Sequence, residues 1–232
     1  MVAHRLSKDQ ARRIAVHAQL LDTPRPPDIV DVVDRLTILQ IDPTAAIAPS
    51  AGLVLWSRLG SSYDPADLTR AIEKDRSLVE TVAYIRSPRD LPAVIAEARN
   101  TPMYAGTAAW FEKNEPFRRD ILALLEEAGP LLSRDIPDTS IEPWPSSGWT
   151  NNRNVTKMLE ILTRRRHVAI SGHKGRQRYW DLPDRVYPVD LPDYDLDRAV
   201  RQDVRFTKAT TAAIRAEIED LATWLGLEVT GS

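Results

Sequence analysis

Residues 150–180 read TNNRNVTKMLEILTRRRHVAISGHKGRQRYW, and two periodicities follow one another along them. In the first half, apolar residues recur every three or four positions, which predicts an amphipathic helix over 150–165. Its apolar face comprises Val155, Met158, Leu159 and Leu162. In the second half, the short runs 168–170 and 177–180 flank a glycine-containing turn at 172–175. That arrangement predicts a β-hairpin.

The sequence before this helix completes an order of elements. A helix is predicted over 118–127, ending at Gly129-Pro130, and a short helix over 133–136. A connection rich in Pro and Ser at 141–148 then leads to the next helix. Helix, short helix, helix and hairpin is the order of a winged helix-turn-helix unit. Residues 116–187 are therefore predicted to form one such unit.

The N-terminal half is also mainly helical. Ser7 and Gln10 are spaced as a capping box, and Asp64 before Pro65 marks another helix start. Three further helices are predicted over 28–36, 53–59 and 88–99, and a strand is predicted over 78–85. Trp56, in the second of these helices, is expected to be buried.

These patterns predict a mostly α (α+β) fold of tandem winged helix-turn-helix units with short β-hairpin wings. Residues 1–115 are expected to contain the first unit and the helices that follow it, and residues 116–187 the second. Residues 188–206, rich in Pro, Asp and Tyr, are predicted to be a linker. Residues 207–232 are predicted to contain an amphipathic helix with a C-cap signal at Gly226.

Composition excludes several classes of function. The 232 residues include no cysteine, which rules out disulfides, thiolate nucleophiles and cysteine metal sites. The four histidines are scattered, so no metal site and no cofactor are expected. Neither a signal-peptide apolar region nor a run of about 18 apolar residues is present. We therefore expect a cytoplasmic protein that does not enter membranes.

Positive charge is concentrated although the formal net charge is only −2. Residues 153–178 contain eight of the 31 basic residues and one of the 33 acidic ones. A basic helix beside a basic hairpin is typical of a DNA contact, although such a run can also be a solvated face. The residues predicted to bind DNA are Asn151, Asn152, Arg153, Lys157, Arg164, Arg165, Lys174, Arg176 and Arg178.

Gln40 and Asp42 are the candidate catalytic residues. They alternate along the predicted extended segment 38–42, so their side chains share one face. An amide beside a carboxylate suits the attack of water on an electron-poor carbon. The spacing alone favours an ordinary role, in which Asp42 caps the turn at Pro43 and Gln40 is solvated.

Three segments resemble the AlkZ/YcaQ-like DNA glycosylases. They are LSKDQARRIAVHAQLL at 6–21, LQIDPTAAIAPSAGLVLWSRLGSSYDP at 39–65 and WPSSGWTNNRNVTKMLEIL at 144–162. That family is built of winged-helix domains and releases alkylated bases, and its active-site signature is Gln-apolar-Gln or Gln-apolar-Asp. The resemblance places this signature at residues 40–42.

The resemblance implies a monofunctional glycosylase that hydrolyses the N-glycosidic bond of N7-alkylated purines in double-stranded DNA. Bulky adducts and interstrand crosslinks would be included, and an abasic site would remain. The protein is expected to be a nucleoid-associated monomer. It is also expected to be a shortened member, with residues 207–232 as the remnant of a third winged-helix unit. The alternative is a non-catalytic winged-helix DNA-binding protein or transcriptional regulator.

Overall fold

The computed structural model describes residues 7–42, 47–145 and 153–187. Asn151 and Asn152, the linker predicted at 188–206 and the helix predicted within 207–232 lie outside them. In the described residues, no helix is long and apolar enough to cross a membrane.

The N-terminal half contains short helices and three very short strands. In chain order they are α1 (Lys8–Ala18), α2 (Ile29–Leu36), β1 (Leu39–Gln40), α3 (Ser50–Leu59), α4 (Pro65–Glu73), β2 (Val79–Glu80), β3 (Tyr84–Arg86) and α5 (Leu91–Asn100). Two 3₁₀ turns, at Gly60–Ser62 and Pro88–Asp90, precede α4 and α5. The strands form an antiparallel sheet in the order β1-β3-β2.

The C-terminal half of the described chain contains longer elements. They are α6 (Ala105–Lys113), α7 (Glu115–Ala128), β4 (Leu131–Leu132), a 3₁₀ turn (Ser133–Asp135), α8 (Asn154–Arg164), β5 (Ala169–Lys174), β6 (Gln177–Asp181) and α9 (Pro183–Val186). Their strands form a second antiparallel sheet, in the order β4-β6-β5. The fold is therefore mostly helical with two small antiparallel sheets, an α+β arrangement as the sequence predicts.

Helix starts follow the predicted caps. The Ser7 hydroxyl accepts from the Gln10 N–H, and the Gln10 side chain accepts from the Ser7 N–H at 2.8 Å, so the capping box is confirmed. The Asp64 carboxylate accepts from the Ala66 N–H at 2.8 Å, with Pro65 as the first residue of α4. Such caps contribute about 1 kcal/mol each because they satisfy backbone donors that have no partner within the helix.

Each half has its own apolar core. In the N-terminal half, α2, α3 and α4 pack on the first sheet around Val32, Val33 and Leu55, all fully buried. In the C-terminal half, α7 and α8 pack on the second sheet. The predicted inner face of α8 is confirmed for Met158, Leu159 and Leu162, while Val155 is only partly buried.

Buried contacts join the two halves. Val79 of β2 and Leu91 of α5 form a small cluster with Ala169 of β5, Val186 and Tyr187. Arg76, which follows α4, donates to the carbonyl of Ser171 in β5 at 3.1 Å. The C-terminal hairpin therefore packs directly against the N-terminal sheet.

Three sequence predictions were wrong in detail, and one helix was not predicted. Trp56 is 61% exposed, because α3 directs Leu55 rather than Trp56 toward the core. The strand predicted at 78–85 is two strands, β2 and β3, paired with each other. The hairpin turn is Gly175-Arg176 rather than 172–175. Helix α6 was missed, since its apolar residues Trp110 and Phe111 have little helical periodicity around them.

Candidate active site and DNA-facing cleft

The Gln-Ile-Asp motif lies at the exposed end of β1. Leu39 is buried opposite Ile85, and Gln40 is exposed opposite Tyr84. Directly opposed residues of an antiparallel pair point to the same face. The Gln40 amide and the Tyr84 ring therefore stand on one side of the sheet. Exposure alternates as expected, since Ile41 packs on the core between two exposed polar residues.

A serine holds the backbone of the motif. The Asp42 N–H donates to the Ser50 hydroxyl at 3.0 Å, and that hydroxyl donates to the Gln40 carbonyl at 3.2 Å. The Ile41 N–H donates to the Ala83 carbonyl at 2.9 Å, which extends the pairing of β1 with β3 by one residue. These three bonds fix the chain on both sides of Ile41, so the two candidate catalytic side chains start from a defined backbone.

A cleft of about 600 Å³ opens beside β3, the strand that pairs with the motif strand. The cleft has three walls. The first is formed by β3 and the connection that precedes it, the second by α5 and the segment after it, and the third by α8 and the residues that follow it. Ala83 and Tyr84, the two residues that bond or oppose the motif, both line this cleft. Tyr104, in the segment after α5, lines the cleft and is 82% exposed. The cleft is large enough for a nucleotide-sized group, but Gln40, Ile41 and Asp42 do not line it, and the motif is connected to it through the paired strand β3.

The charged side chains that line the cleft are mainly basic. Five basic side chains and two carboxylates contribute to it, namely Arg86, Lys157, Arg164, Arg165 and Arg166 with Glu97 and Glu160. Three of the predicted DNA-binding residues, Lys157, Arg164 and Arg165, are among them. An excess of positive charge in a groove of low dielectric concentrates anions there.

Two of these predicted residues also make internal contacts. Arg165 donates from Nη1 to the carbonyls of Ala98 and Thr101, at 2.7 and 2.9 Å, and so ties α8 to the end of α5. The Lys157 ammonium lies 4.5 Å from the centre of the Trp144 ring and 3.8 Å from the Glu160 carboxylate. Arg164 is exposed at the last position of α8.

The predicted hairpin residues occupy two different environments. Lys174 and Arg176 are exposed at the tip, where Gly175 has φ +62°. Arg178 instead lies in the interface between the halves, where its Nε donates to Glu80 at 2.9 Å and its Nη2 to the Val82 carbonyl at 2.9 Å. Arg178 thus supports the cleft wall at Val82. Arg153 is exposed just before α8.

An ionic cluster centred on the buried Glu80 surrounds that contact. The Glu80 side chain is 1% exposed. Its Oε1 bonds Arg178, and its Oε2 lies 3.2 Å from Nε2 of His173. Glu73 accepts from the His173 N–H at 2.9 Å. Hydrogen bonding to Glu80 raises the pKa of His173, although burial opposes that increase. A Cβ at Gly172 would lie 3.1 Å from the Glu73 carboxyl carbon, so any other residue here would shift that side chain.

Sequence reasoning missed three residues that shape this site. Ser50 has no signature as a backbone clamp, because its partners lie eight and ten residues away. Glu80 could have been noticed as the one acid within the apolar run 78–85. Arg166 was counted only as part of the basic run, although it follows two other arginines directly.

One family model matches the chain, that of the AlkZ-like DNA glycosylases, over residues 33–232. The match includes the motif strand, the cleft walls and the basic hairpin. No solved structure was found to match the chain. The family resemblance seen in the sequence is confirmed, and because the match covers far more than half of the residues, this protein belongs to the AlkZ-like DNA glycosylase family.

Proposed function

We propose that this protein is a monofunctional DNA N-glycosylase that releases N7-alkylated purines and leaves an abasic site. The observation that carries the proposal is the position of Gln40 and Asp42. Both are exposed on a clamped strand end, and the strand paired with it, β3, lines a cationic cleft. Membership of a DNA glycosylase family supports the general activity. The positive charge and the open shape of the cleft support DNA with an alkylated purine as the substrate.

The chemistry follows from the leaving group. N7-alkylation places a positive charge on the purine, so the glycosidic bond breaks toward an oxocarbenium ion. The Asp42 carboxylate stabilises that ion and directs water to C1′, while the Gln40 amide positions the water. Electrostatic stabilisation of this kind is worth roughly 10²–10³-fold in rate. No lysine adjoins the motif, so a Schiff-base lyase step is not expected.

DNA would be held by the basic residues of the second half. The order α7, 3₁₀ turn, α8 and hairpin β5–β6 agrees with a winged helix-turn-helix unit over residues 116–187, with β5–β6 as its wing. In that arrangement, Lys174 and Arg176 reach a DNA backbone from the hairpin tip. Bulky adducts and crosslinked bases fit an open cleft better than a closed base pocket, so they are included among the proposed substrates.

A non-catalytic DNA-binding protein or regulator is the second candidate function, since the basic surface alone would serve it. A regulator that reads palindromic sites acts as a dimer. We propose a monomer, which native mass spectrometry checks directly. A dimer that binds DNA and releases no base would favour the regulator.

The direct test is base release from a duplex with a single N7-methylguanine, read as alkali-induced cleavage at the abasic site. We expect the wild type to cleave and Asp42→Asn to be slower by about 10²-fold or more. The matched control is Asp184→Asn, the same change at an exposed carboxylate on α9, which should cleave at the wild-type rate.

Two results would contradict the proposal. If Asp42→Asn and the wild type cleave at equal rates, Asp42 is not the catalytic carboxylate. If neither cleaves this duplex or one carrying a bulkier N7 adduct, while both bind DNA with a steep salt dependence, the protein is a DNA-binding scaffold.

A further inference from the structure

Tyr104 displays an aromatic ring in the cleft. The residue lies in the segment between α5 and α6, and its side chain is 82% exposed. A second tyrosine, Tyr84, also lines the cleft, but it is half-buried, and the Arg86 guanidinium carbon lies 5.3 Å from the centre of its ring. Of these two tyrosines, Tyr104 therefore offers the more accessible aromatic surface.

The chain around Tyr104 is anchored. Tyr104 directly precedes α6, and a Cβ at Gly106 would lie 3.3 Å from Cε1 of the Tyr104 ring. The ring thus lies against the first turn of α6, where a glycine leaves room for it. Three residues before Tyr104, the Thr101 carbonyl accepts from Arg165 at 2.9 Å, which ties this segment to the end of α8. An exposed ring on an anchored backbone loses little conformational entropy when it makes a contact.

The rest of the cleft surface combines apolar and basic groups. Val82, Val94 and Met103 line the cleft and are half-buried, so part of their apolar surface is accessible. Arg164 is exposed, and the Lys157 side chain is 31% exposed. A nucleotide has the same two characters, because its base presents π faces and its phosphate carries a negative charge. A volume of about 600 Å³ is sufficient for one base with its sugar.

Other occupants fit this cleft less well. An apolar small molecule or an apolar peptide would gain nothing from the five basic side chains of the lining. A paired base inside a duplex has both π faces covered by its neighbours. An unpaired base has a free face for the Tyr104 ring, and the phosphates on either side of it match the positive charge. The combination of an accessible aromatic ring with an excess of cations therefore favours a nucleotide outside the base stack.

We propose that the cleft receives one unpaired nucleobase of the DNA and that Tyr104 stacks on it. The inference rests on the proposed function, because it assumes that DNA is opened at the motif. Tyr84 lines the cleft and is the residue directly opposite Gln40, so the cleft and the motif are separated by one strand pairing. The base held here is therefore the alkylated purine itself or the base left opposite it. Both present the same stacking chemistry, and the experiment distinguishes them.

The test measures Kd for the wild type, Tyr104→Ala, Tyr104→Leu and Tyr104→Phe on four duplexes. The first carries 2′-fluoro-N7-methyldeoxyguanosine, whose fluorine destabilises the oxocarbenium ion and so prevents base release. The second has a tetrahydrofuran abasic analogue at that position, the third has the analogue both there and opposite, and the fourth is undamaged. We expect the Ala and Leu variants to bind the first duplex about 10-fold more weakly than the wild type. The Phe variant, which keeps the ring, should bind within about 2-fold of the wild type.

The abasic duplexes identify which base is held. If the loss of affinity in Tyr104→Ala disappears on the second duplex, the alkylated purine stacks on Tyr104. If the loss persists on the second duplex and disappears on the third, the base opposite the lesion stacks on it. The undamaged duplex, in which every base is paired, should bind Tyr104→Ala and the wild type equally.

Controls separate stacking from folding and from charge. The melting temperature of Tyr104→Ala should stay close to that of the wild type, because the side chain is exposed. Trp56→Ala removes an exposed aromatic ring that does not line the cleft, and it should bind all four duplexes as the wild type does. Tyr104→Ala should leave the salt dependence of log Kd unchanged, because stacking releases no counterions, whereas Arg164→Gln should lower its slope by about 0.9.

Three results would overturn the stacking proposal. In the first, Tyr104→Ala binds every duplex like the wild type. In the second, Tyr104→Phe binds as weakly as Tyr104→Ala, so that the hydroxyl rather than the ring makes the contact. In the third, the loss is equally large on the undamaged or the doubly abasic duplex, so that Tyr104 contacts the DNA backbone. Because the readout is binding, a normal stacking pattern without base release from N7-methylguanine would reject the glycosylase proposal alone, and base release without any effect of Tyr104 would reject the stacking proposal alone.

Discussion

The two sheets of this protein are built in different ways. The sheet β4-β6-β5 has a hairpin of five- and six-residue strands on a continuous core. The sheet β1-β3-β2 has strands of two or three residues, and it depends on contacts from elsewhere, namely Ser50 and the Glu80 cluster. The basic hairpin is therefore locally determined, whereas the motif strand is positioned by partners distant in sequence.

The largest expected effect comes from the contact that joins the two sheets. Glu80→Ala removes the carboxylate partner of Arg178 and of His173, whose side chains are 27% and 32% exposed. Breaking a buried ion pair on one side costs up to about 3–5 kcal/mol, and that is the upper bound here because both cations keep some contact with water. Urea unfolding should show a loss of this size, and Glu127→Ala, at an exposed position of α7, should stay within about 0.5 kcal/mol of the wild type. Equal losses of unfolding free energy in Glu80→Ala and Glu127→Ala would mean that the cluster does not hold the halves together.

A smaller effect is expected from the clamp on the motif. Ser50→Ala removes one hydrogen bond to Asp42 and one to Gln40, worth about 1 kcal/mol each in stability. The rate of base release should fall by more than this stability loss explains, because the motif backbone is no longer held. Ser62→Ala, at an exposed position after α3, is the control. A normal rate for Ser50→Ala would show that the strand pairing alone positions the motif.

Stability should also depend on pH through His173. Its folded-state pKa is raised by Glu80 above the ordinary value of 6.5. The protonated ring therefore stabilises the fold fully below about pH 6.5, and this contribution is lost as pH rises through the raised pKa. Melting temperatures measured from pH 5.5 to 9 should fall more for the wild type than for His173→Gln. Parallel curves of melting temperature against pH for the wild type and His173→Gln would show that protonation of His173 does not stabilise the fold.

The smallest expected effect is at Trp56. Its helical position suggested a core residue, but the side chain is exposed. Trp56→Ser should change the free energy of unfolding by no more than about 0.5 kcal/mol, whereas Trp110→Ala in the second core should cost about 3–5 kcal/mol. A large loss at Trp56 would show that this face of α3 is covered in solution.

Sequence reasoning succeeded where the signal is local. The caps at Ser7 and Asp64 and the apolar face of α8 were read from spacing within a few residues, and all are observed. Sequence reasoning failed where the residues nearby along the chain do not reveal which segments pair with each other. One long apolar run split into β2 and β3, because pairing between the two short strands satisfies backbone groups that a single strand would leave open.

The sequence by itself determined the helical character, the order of α7, α8 and the hairpin in the second half, the charge segregation and the candidate motif at residues 40–42. Only the tertiary structure decided what surrounds that motif. It brought Ser50 to the strand end, Tyr84 opposite Gln40, and Arg86 and Arg166 into one cleft. The physical reason is range, since caps and amphipathic periods act over a few residues, whereas clefts and buried ion pairs form only when distant segments meet.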